Sequence, residues 1–290
     1  MTAAVETARA ATDRYLARCK LAANTVRAYR RQTAAYAAWL GAHANAHPDA
    51  LTDLVGAEAA VTAWRRHLLR AKASPSSVNQ ALAAVTLLYA HGAGIRIQVK
   101  RARVPRPGEP DALTPTQQGA LERAAARRGP RDAAIIAVLL YTGARVEECA
   151  RLQLADVAVT ARTGRVHLVG KGDQARDLPL PAKTRDHLSA WLERRGRHPG
   201  PLWTGQRGPL TISGLTQVVL AVGAATGLPD LQALRPHRLR HTYATRLRQG
   251  GADPAQIQAL LGHATLETAA RYFRAGPTEQ AAVIERIFQA

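Results

Sequence analysis

Cysteine is almost missing from the 290 residues: there are two, Cys19 and Cys149. They fall in different predicted domains, so a disulfide framework is not expected. Long apolar runs are missing too. No stretch of 18 apolar residues occurs, which argues against a membrane span. The opening "MTAAVETARAATDRYLARCK" has no apolar core of the signal-peptide kind, so a cytoplasmic protein is expected. No phosphate-cradling "GxxxxGK(S/T)" occurs, and no internal repeat is apparent. Acidic residues are scarce: 21 Asp and Glu stand against 40 Lys and Arg, a formal charge of +19. Such an excess repels itself unless a polyanion neutralises it. A genome rich in G and C would favour Arg and Ala, but that bias alone does not require so large a surplus.

Residues 1–95 carry helical periodicity throughout. In "NTVRAYRRQTAAYAAWL", Val26, Tyr29, Tyr36, Ala37 and Leu40 recur near the helical period, with Thr33 on the same face and Asn24 as a plausible N-cap. Arg27, Arg30 and Arg31 fall on the opposite face. "AEAAVTAWRRHLLRAKA" predicts a third helix with Trp64, Leu68 and Leu69 apolar. "SPSSVNQALAAVTLLYAHGAG" predicts a fourth, with Val78, Leu82, Val85, Leu88 and Tyr89 as its stripe. Four short helices with basic outer faces suit a duplex clamp. "IQVKRARVPRPGEPDA" then holds three prolines and four basic residues, among them Lys100 and Arg101, and reads as a basic linker over 96–112.

A second domain is expected over 113–290. Thr114 and Pro115 have the N-cap and first-turn chemistry of a helix. "PRDAAIIAVLLYTGARVEECARLQLADV" predicts helix, break and helix, with the break at Gly143. In "GRVHLVGKGDQARDLPLP" the period changes to two: Val166 and Leu168, then Leu178 and Leu180, alternate with polar residues around a glycine-containing turn. That predicts a small antiparallel sheet with Lys171 at a hairpin tip and a third strand from 157–160. The fold class is therefore mainly α with a small antiparallel β-sheet.

The most charged stretch is "PHRLRHTYATRLRQGG", in which His237, Arg238, Arg240 and His241 crowd into five residues. Coulomb repulsion disfavours that cluster unless an anion arrives. Zinc is a poor candidate, because Arg238 and Arg240 repel a cation and the Glu of an "HExxH" helix is missing. A phosphodiester fits better. Its reaction needs planar cationic donors for the non-bridging oxygens, a nucleophile, and an acid for the leaving oxygen. His237 and Arg240 are three apart and share a helix face. Arg145 follows the Gly143 break at a helix start, where backbone N–H groups favour anions. His263 precedes Tyr272 by nine residues, and Tyr272 lies beside Arg271 and Arg274.

These segments resemble the tyrosine recombinases, the phage-type integrase family, and look most like its simple Xer-type or integron-like members. "YTGARVEECARLQLADV" resembles the family's first arginine box. "PHRLRHTYAT" and "LGHATLETAARYF" resemble its second box and nucleophile segment, and "NTVRAYRRQTAAYAAWL" its N-terminal core-binding domain. The resemblance implies a helical core-binding domain over 1–95 and an α/β catalytic domain over 113–290. It implies a site-specific DNA recombinase with catalytic residues Arg145, Lys171, His237, Arg240, His263 and Tyr272. Tyr272 would attack phosphorus to give a 3′-phosphotyrosyl link, and Lys171 would protonate the departing 5′-oxygen. Both arginines and both histidines would hold the phosphate, with no metal or cofactor. Glu148 would orient Arg145, His241 would pack beneath the site, and Cys149 would be a small buried residue. Arg27, Arg30, Arg31, Lys100, Arg101 and Arg176 are the expected DNA contacts.

The resemblance also implies double-stranded DNA with inverted-repeat sites, a homo-tetramer on two duplexes joined through the C-terminal tail, and a place at the prokaryotic nucleoid. The alternatives are type IB topoisomerase-like nicking and resealing, or a DNA-binding accessory protein that does not cut. Two departures from the family pattern stand out. Ala144 stands where leucine is frequent, and Glu147 adds an acid to the first box.

Overall fold

The computed structural model describes residues 2–105, 111–170 and 174–262. The chain divides into two compact units between Arg106 and Pro107.

The first unit is built from α1 (Thr2–Arg18), α2 (Ala23–Ala42), α3 (Leu54–Arg70) and α4 (Pro75–Leu88). Asp53 and Ser74 cap α3 and α4 through their side chains. The fourth helix runs into a π-helical turn, Tyr89–Ala93, closed by Gly94 in the left-handed conformation. Thr33, Tyr36, Ala37 and Leu40 form the buried stripe of α2, as the periodicity predicts. They meet Trp64 of α3 and the stripe Val78, Leu82, Val85 and Leu88 of α4. Two buried phenols satisfy each other there: Tyr36 Oη lies 2.6 Å from Tyr89 Oη. Burial drives both upward in pKa, Tyr89 to about 12.

Three local expectations are corrected. The second helix starts at Ala23 with Ala22 as its uncapped N-cap, so Asn24 sits inside the first turn. Leu69 is exposed, because the buried stripe of α3 runs through Ala57, Ala60, Val61 and Trp64. The segment read as linker begins as part of the core: Ile97 and Ala102 are buried. Asn79 fastens Ala102 by accepting from its N–H at 2.7 Å and donating to its carbonyl at 2.9 Å. Proline content signalled a break, but the two apolar residues between the prolines and α4 had a core to enter.

The second unit opens with α5 (Pro115–Arg128) and α6 (Pro130–Thr142). The Thr114 and Gln117 side chains form a reciprocal capping box on α5. Burial surrounds α6, and Ala134, Ile135, Val138 and Leu139 are fully enclosed. After α7 (Val146–Arg151) come β1 (Val157–Val159), β2 (Gly164–Val169) and β3 (Ala175–Pro179), an antiparallel sheet in the order β1-β2-β3. Val166 pairs with Leu178 and Leu168 with Arg176. The apolar members of those pairs are buried in the same core as Leu188 and Trp191 of α8 (Ala182–Arg195). A two-stranded ribbon, β4 (Thr204–Gly205) with β5 (Gly208–Pro209), leads into α9 (Ile212–Ala224). Two further helices, α10 (Pro236–Gln249) and α11 (Pro254–Leu261), complete the described residues. The unit is helical with small antiparallel sheets, as expected. No helix among the described residues is long and apolar enough to cross a membrane.

Candidate active site

The site is assembled where α6 ends. Gly143 terminates that helix at φ 59°, ψ 22°. A Cβ there would lie 2.4 Å from the Tyr243 ring and 2.9 Å from Leu261 Cδ2, so both the conformation and the space require glycine. Ala144 is buried, and Arg145 becomes the N-cap of α7. The small Ala144 side chain is thus enclosed in the core.

Glu148 sits one turn on, with its side chain 1% exposed. It accepts the backbone N–H of Arg145 at 2.8 Å on Oε2 and the Arg145 guanidinium at 2.8 Å on Oε1. The same carboxylate accepts both terminal nitrogens of Arg176, at 3.2 and 2.8 Å. Burial pushes its pKa up; the hydrogen bonds from Arg176 and Arg145 outweigh that and hold the carboxyl below the usual carboxylate value. Glu148 thus holds both the backbone and the guanidinium of Arg145. Glu147 points to solvent. Cys149 is fully buried, its thiol pushed up to about 12 by burial, and its carbonyl accepts Trp203 Nε1 at 2.8 Å.

Arg240 reaches the same turn from α10. It is 2% exposed and donates to Gly143 O at 2.5 Å and Leu261 O at 2.7 Å. Helical geometry separates it from Arg238, which turns away to Asp230 O at 2.9 Å and to Asp111 at 2.9 Å. His237 is exposed on the Arg240 face. His241 is buried beneath it, the two rings edge to face at 4.3 Å. Arg145, Glu148, His237 and Arg240 thus converge on one region of the second unit, and His241 lies below it.

The helix α11 ends at Gly262, left-handed at φ 62°, and its last carbonyls are held by three different arginines. Arg176 Nε donates to Leu260 O at 3.1 Å, Arg240 to Leu261 O, and Arg145 to Gly262 O at 3.4 Å. Lys171, His263 and Tyr272 lie outside the described residues, as does the tail from Thr278. Gly170, the neighbour of Lys171, comes against the site: a Cβ on it would lie 3.2 Å from Glu148 Oε1.

The expected DNA contacts divide. Arg27, Arg30, Arg31, Lys100 and Arg101 are exposed on the first unit, Arg30 with Asp13 at 3.1 Å. Arg176 departs from expectation. Its side chain is 10% exposed, and each of its three nitrogens donates to a protein oxygen. The signal was present in the strand alternation: Arg176 is two residues before Leu178 and shares its core face. A cation on a core face needs an acid, and Glu148 supplies it.

One buried carboxylate thus braces two arginines inside a helical unit with a small antiparallel sheet. The phage integrase family matches residues 112–279, and the chain belongs to it. It is similar to the tyrosine recombinase XerC of Mycobacterium bovis, 33% identical over 94% of this chain and 96% of that one. XerC of Rhodospirillum centenum is 31% identical over 86% and 76%. The fold is shared with the XerH site-specific recombinase crystallised on palindromic difH substrate after cleavage, at a TM-score of 0.73 and 19% identity over 90% of this chain and 79% of that one. The enzyme is thus a site-specific tyrosine recombinase, and the topoisomerase-like and non-cleaving alternatives are not favoured.

Proposed function

We propose that Arg145 and Arg240 hold the non-bridging oxygens of a scissile phosphate, with His237 and His263 donating further hydrogen bonds. Tyr272 attacks phosphorus, Lys171 protonates the 5′-oxygen that leaves, and a 3′-phosphotyrosyl link results. The 5′-hydroxyl of a partner strand then displaces the tyrosine, so the bond energy is retained. Arg27, Arg30, Arg31, Lys100 and Arg101 bind backbone phosphates in a core-binding domain over residues 1–95. The substrate is a pair of duplexes bearing inverted repeats, held by four protomers through tails beginning at Thr278, at the nucleoid. One observation carries the proposal: Arg145 and Arg240, distant in sequence, are both anchored on the turn at Leu261 and Gly262, one residue before His263.

The test is covalent capture. The wild-type protein is offered a random-sequence duplex library with a nick downstream of candidate cleavage positions, and adducts are recovered after denaturation. Capture of a duplex carrying inverted repeats by the wild-type protein, and none by Tyr272→Phe, is the expected result. Adducts of the Phe variant would remove Tyr272 from the proposal. Deleting residues 278–290 is expected to leave binding intact and to abolish tetrameric complexes on the captured duplex.

A further inference from the structure

We propose that Arg176 is a positioning residue for strand cleavage: through Glu148 it sets the Arg145 guanidinium, and through Leu260 O it sets the turn at the end of α11 that precedes His263 in the chain. The inference rests on the roles given to Arg145 and Tyr272 above.

Arg176 lies on the core face of β3, where an unpaired cation would be costly. Its planar fork spans two elements. The terminal nitrogens take both oxygens of Glu148 at the start of α7, and Nε takes the carbonyl of Leu260 at the end of α11. Such bidentate geometry fixes direction as well as distance, which an ammonium group does not reproduce.

Glu148 is shared between two cations. Oε1 receives Arg145 at 2.8 Å and Arg176 at 3.2 Å. Removing Arg176 leaves a buried carboxylate with one guanidinium, and the carboxylate can then rotate toward Arg145 or take up a proton. Either change moves Arg145 away from the edge it presents, a side chain that is 36% exposed. The turn is packed on the same group. A Cβ on Gly262 would lie 2.8 Å from an Arg176 terminal nitrogen and 3.2 Å from its Cζ. One guanidinium therefore contacts both the carboxylate that holds Arg145 and the turn at Leu260 and Gly262.

The experiment uses the full chain and the duplex isolated by covalent capture with the wild-type protein. Affinity is measured with Tyr272→Phe in the background, and the rate of adduct formation at saturating duplex without it. Arg176→Met should bind within about twofold of its parent and form adduct roughly 10²-fold more slowly, the scale of a misplaced reacting group. Glu148→Gln should slow adduct formation similarly, and the double variant should be no slower than the slower single one. Gly262→Ala should reproduce the defect with Arg176 intact. The acid limb of the rate profile should move to higher pH in Arg176→Met and disappear in Glu148→Gln, a response that mere loss of folded protein does not give.

Weaker binding with an unchanged saturating rate would make Arg176 a phosphate anchor and overturn the proposal. So would multiplicative defects of Arg176→Met and Glu148→Gln. If Arg176→Met does not fold, Arg176→Lys and Gly262→Ala carry the same comparisons. Failure of the roles of Arg145 and Tyr272 is separable: it appears as an undiminished adduct rate in Arg145→Ala or as adducts in Tyr272→Phe, whatever Arg176 does.

Discussion

Arg240 closes on the carbonyl of Gly143 at 2.5 Å, and Arg145 emerges two residues later from the turn so fixed. One arginine thereby sets the backbone that presents the other. Both guanidiniums also reach the end of α11, so in the proposed role their positions would be established before a phosphate arrives. Preorganised donors of this kind need little rearrangement as charge develops on the phosphoryl oxygens.

Arg240→Ala should therefore fail in two measurable ways. The rate of adduct formation at saturating DNA should fall by roughly 10²–10³, the usual worth of one transition-state donor. Thermal unfolding should also shift downward, because two buried carbonyls lose their donor at roughly 1–3 kcal/mol each. Duplex affinity should change far less than the rate. Equal losses in affinity and rate would make Arg240 an ordinary phosphate anchor.

Gly143→Ala should destabilise the protein by more than its backbone conformation alone requires. A left-handed alanine costs about 1–2 kcal/mol. Here the methyl group must also displace the Tyr243 ring and Leu261. Gly227 provides the comparison within the same unit: its φ is 73°, and a Cβ would meet nothing within 4 Å. Gly227→Ala should show the conformational cost only. If the two variants lose equal stability in denaturant melts, the close packing at Gly143 has no energetic weight.

Much of this site is legible in the sequence because helical spacing is rigid. Glu148 is three residues past Arg145, the N-cap of α7, and His237 and Arg240 are three apart on α10, so each pair meets across one helical turn. Cys149 follows the same logic into the core. Long-range pairing is what the residue pattern left open. The alternation of β3 put Arg176 on the buried face, but the identity of its acid depended on α7 packing against the sheet. The carbonyls of 260–262 were invisible for a similar reason, since every residue carries one. At 97–102 proline and charge outweighed two apolar side chains in the local reading, whereas in the fold the core of the first unit took them in.

Acid should weaken the second unit through Glu148 in a defined direction. Its folded pKa is depressed below the ordinary carboxylate value, once the guanidinium hydrogen bonds overcome burial. A depressed carboxylate contributes stability that is present above its unfolded pKa and is lost as pH falls through the folded one. Glu122 shifts the same way, against burial, through Lys183, Tyr141 and Gln118. Stability should fall as pH drops from about 6 toward 3, around the carboxylate range. Glu148→Gln should flatten part of that slope and Glu122→Gln another part. An unchanged slope in Glu148→Gln would mean that the carboxylate is equally favoured in the unfolded chain.

Lys171 is best tested by chemistry rather than by position. Its neighbour Gly170 stands against the Glu148 carboxylate, and the Gly170 N–H donates to Gln174 O at 2.8 Å across the base of the β2–β3 connection. That places the root of the connection beside the arginine cluster. An acid there would protonate the 5′-oxygen as the P–O bond breaks, because an alkoxide is a poor leaving group. Replacing that bridging oxygen with sulfur removes the need, since a thiolate departs without a proton. Lys171→Ala should form adduct far more slowly than the parent on the oxygen duplex and at close to the parental rate on the sulfur duplex. Arg145→Ala should remain slow on both, because its proposed role is charge stabilisation and not proton transfer. If sulfur leaves Lys171→Ala as slow as oxygen does, Lys171 binds the phosphate and another group supplies the proton.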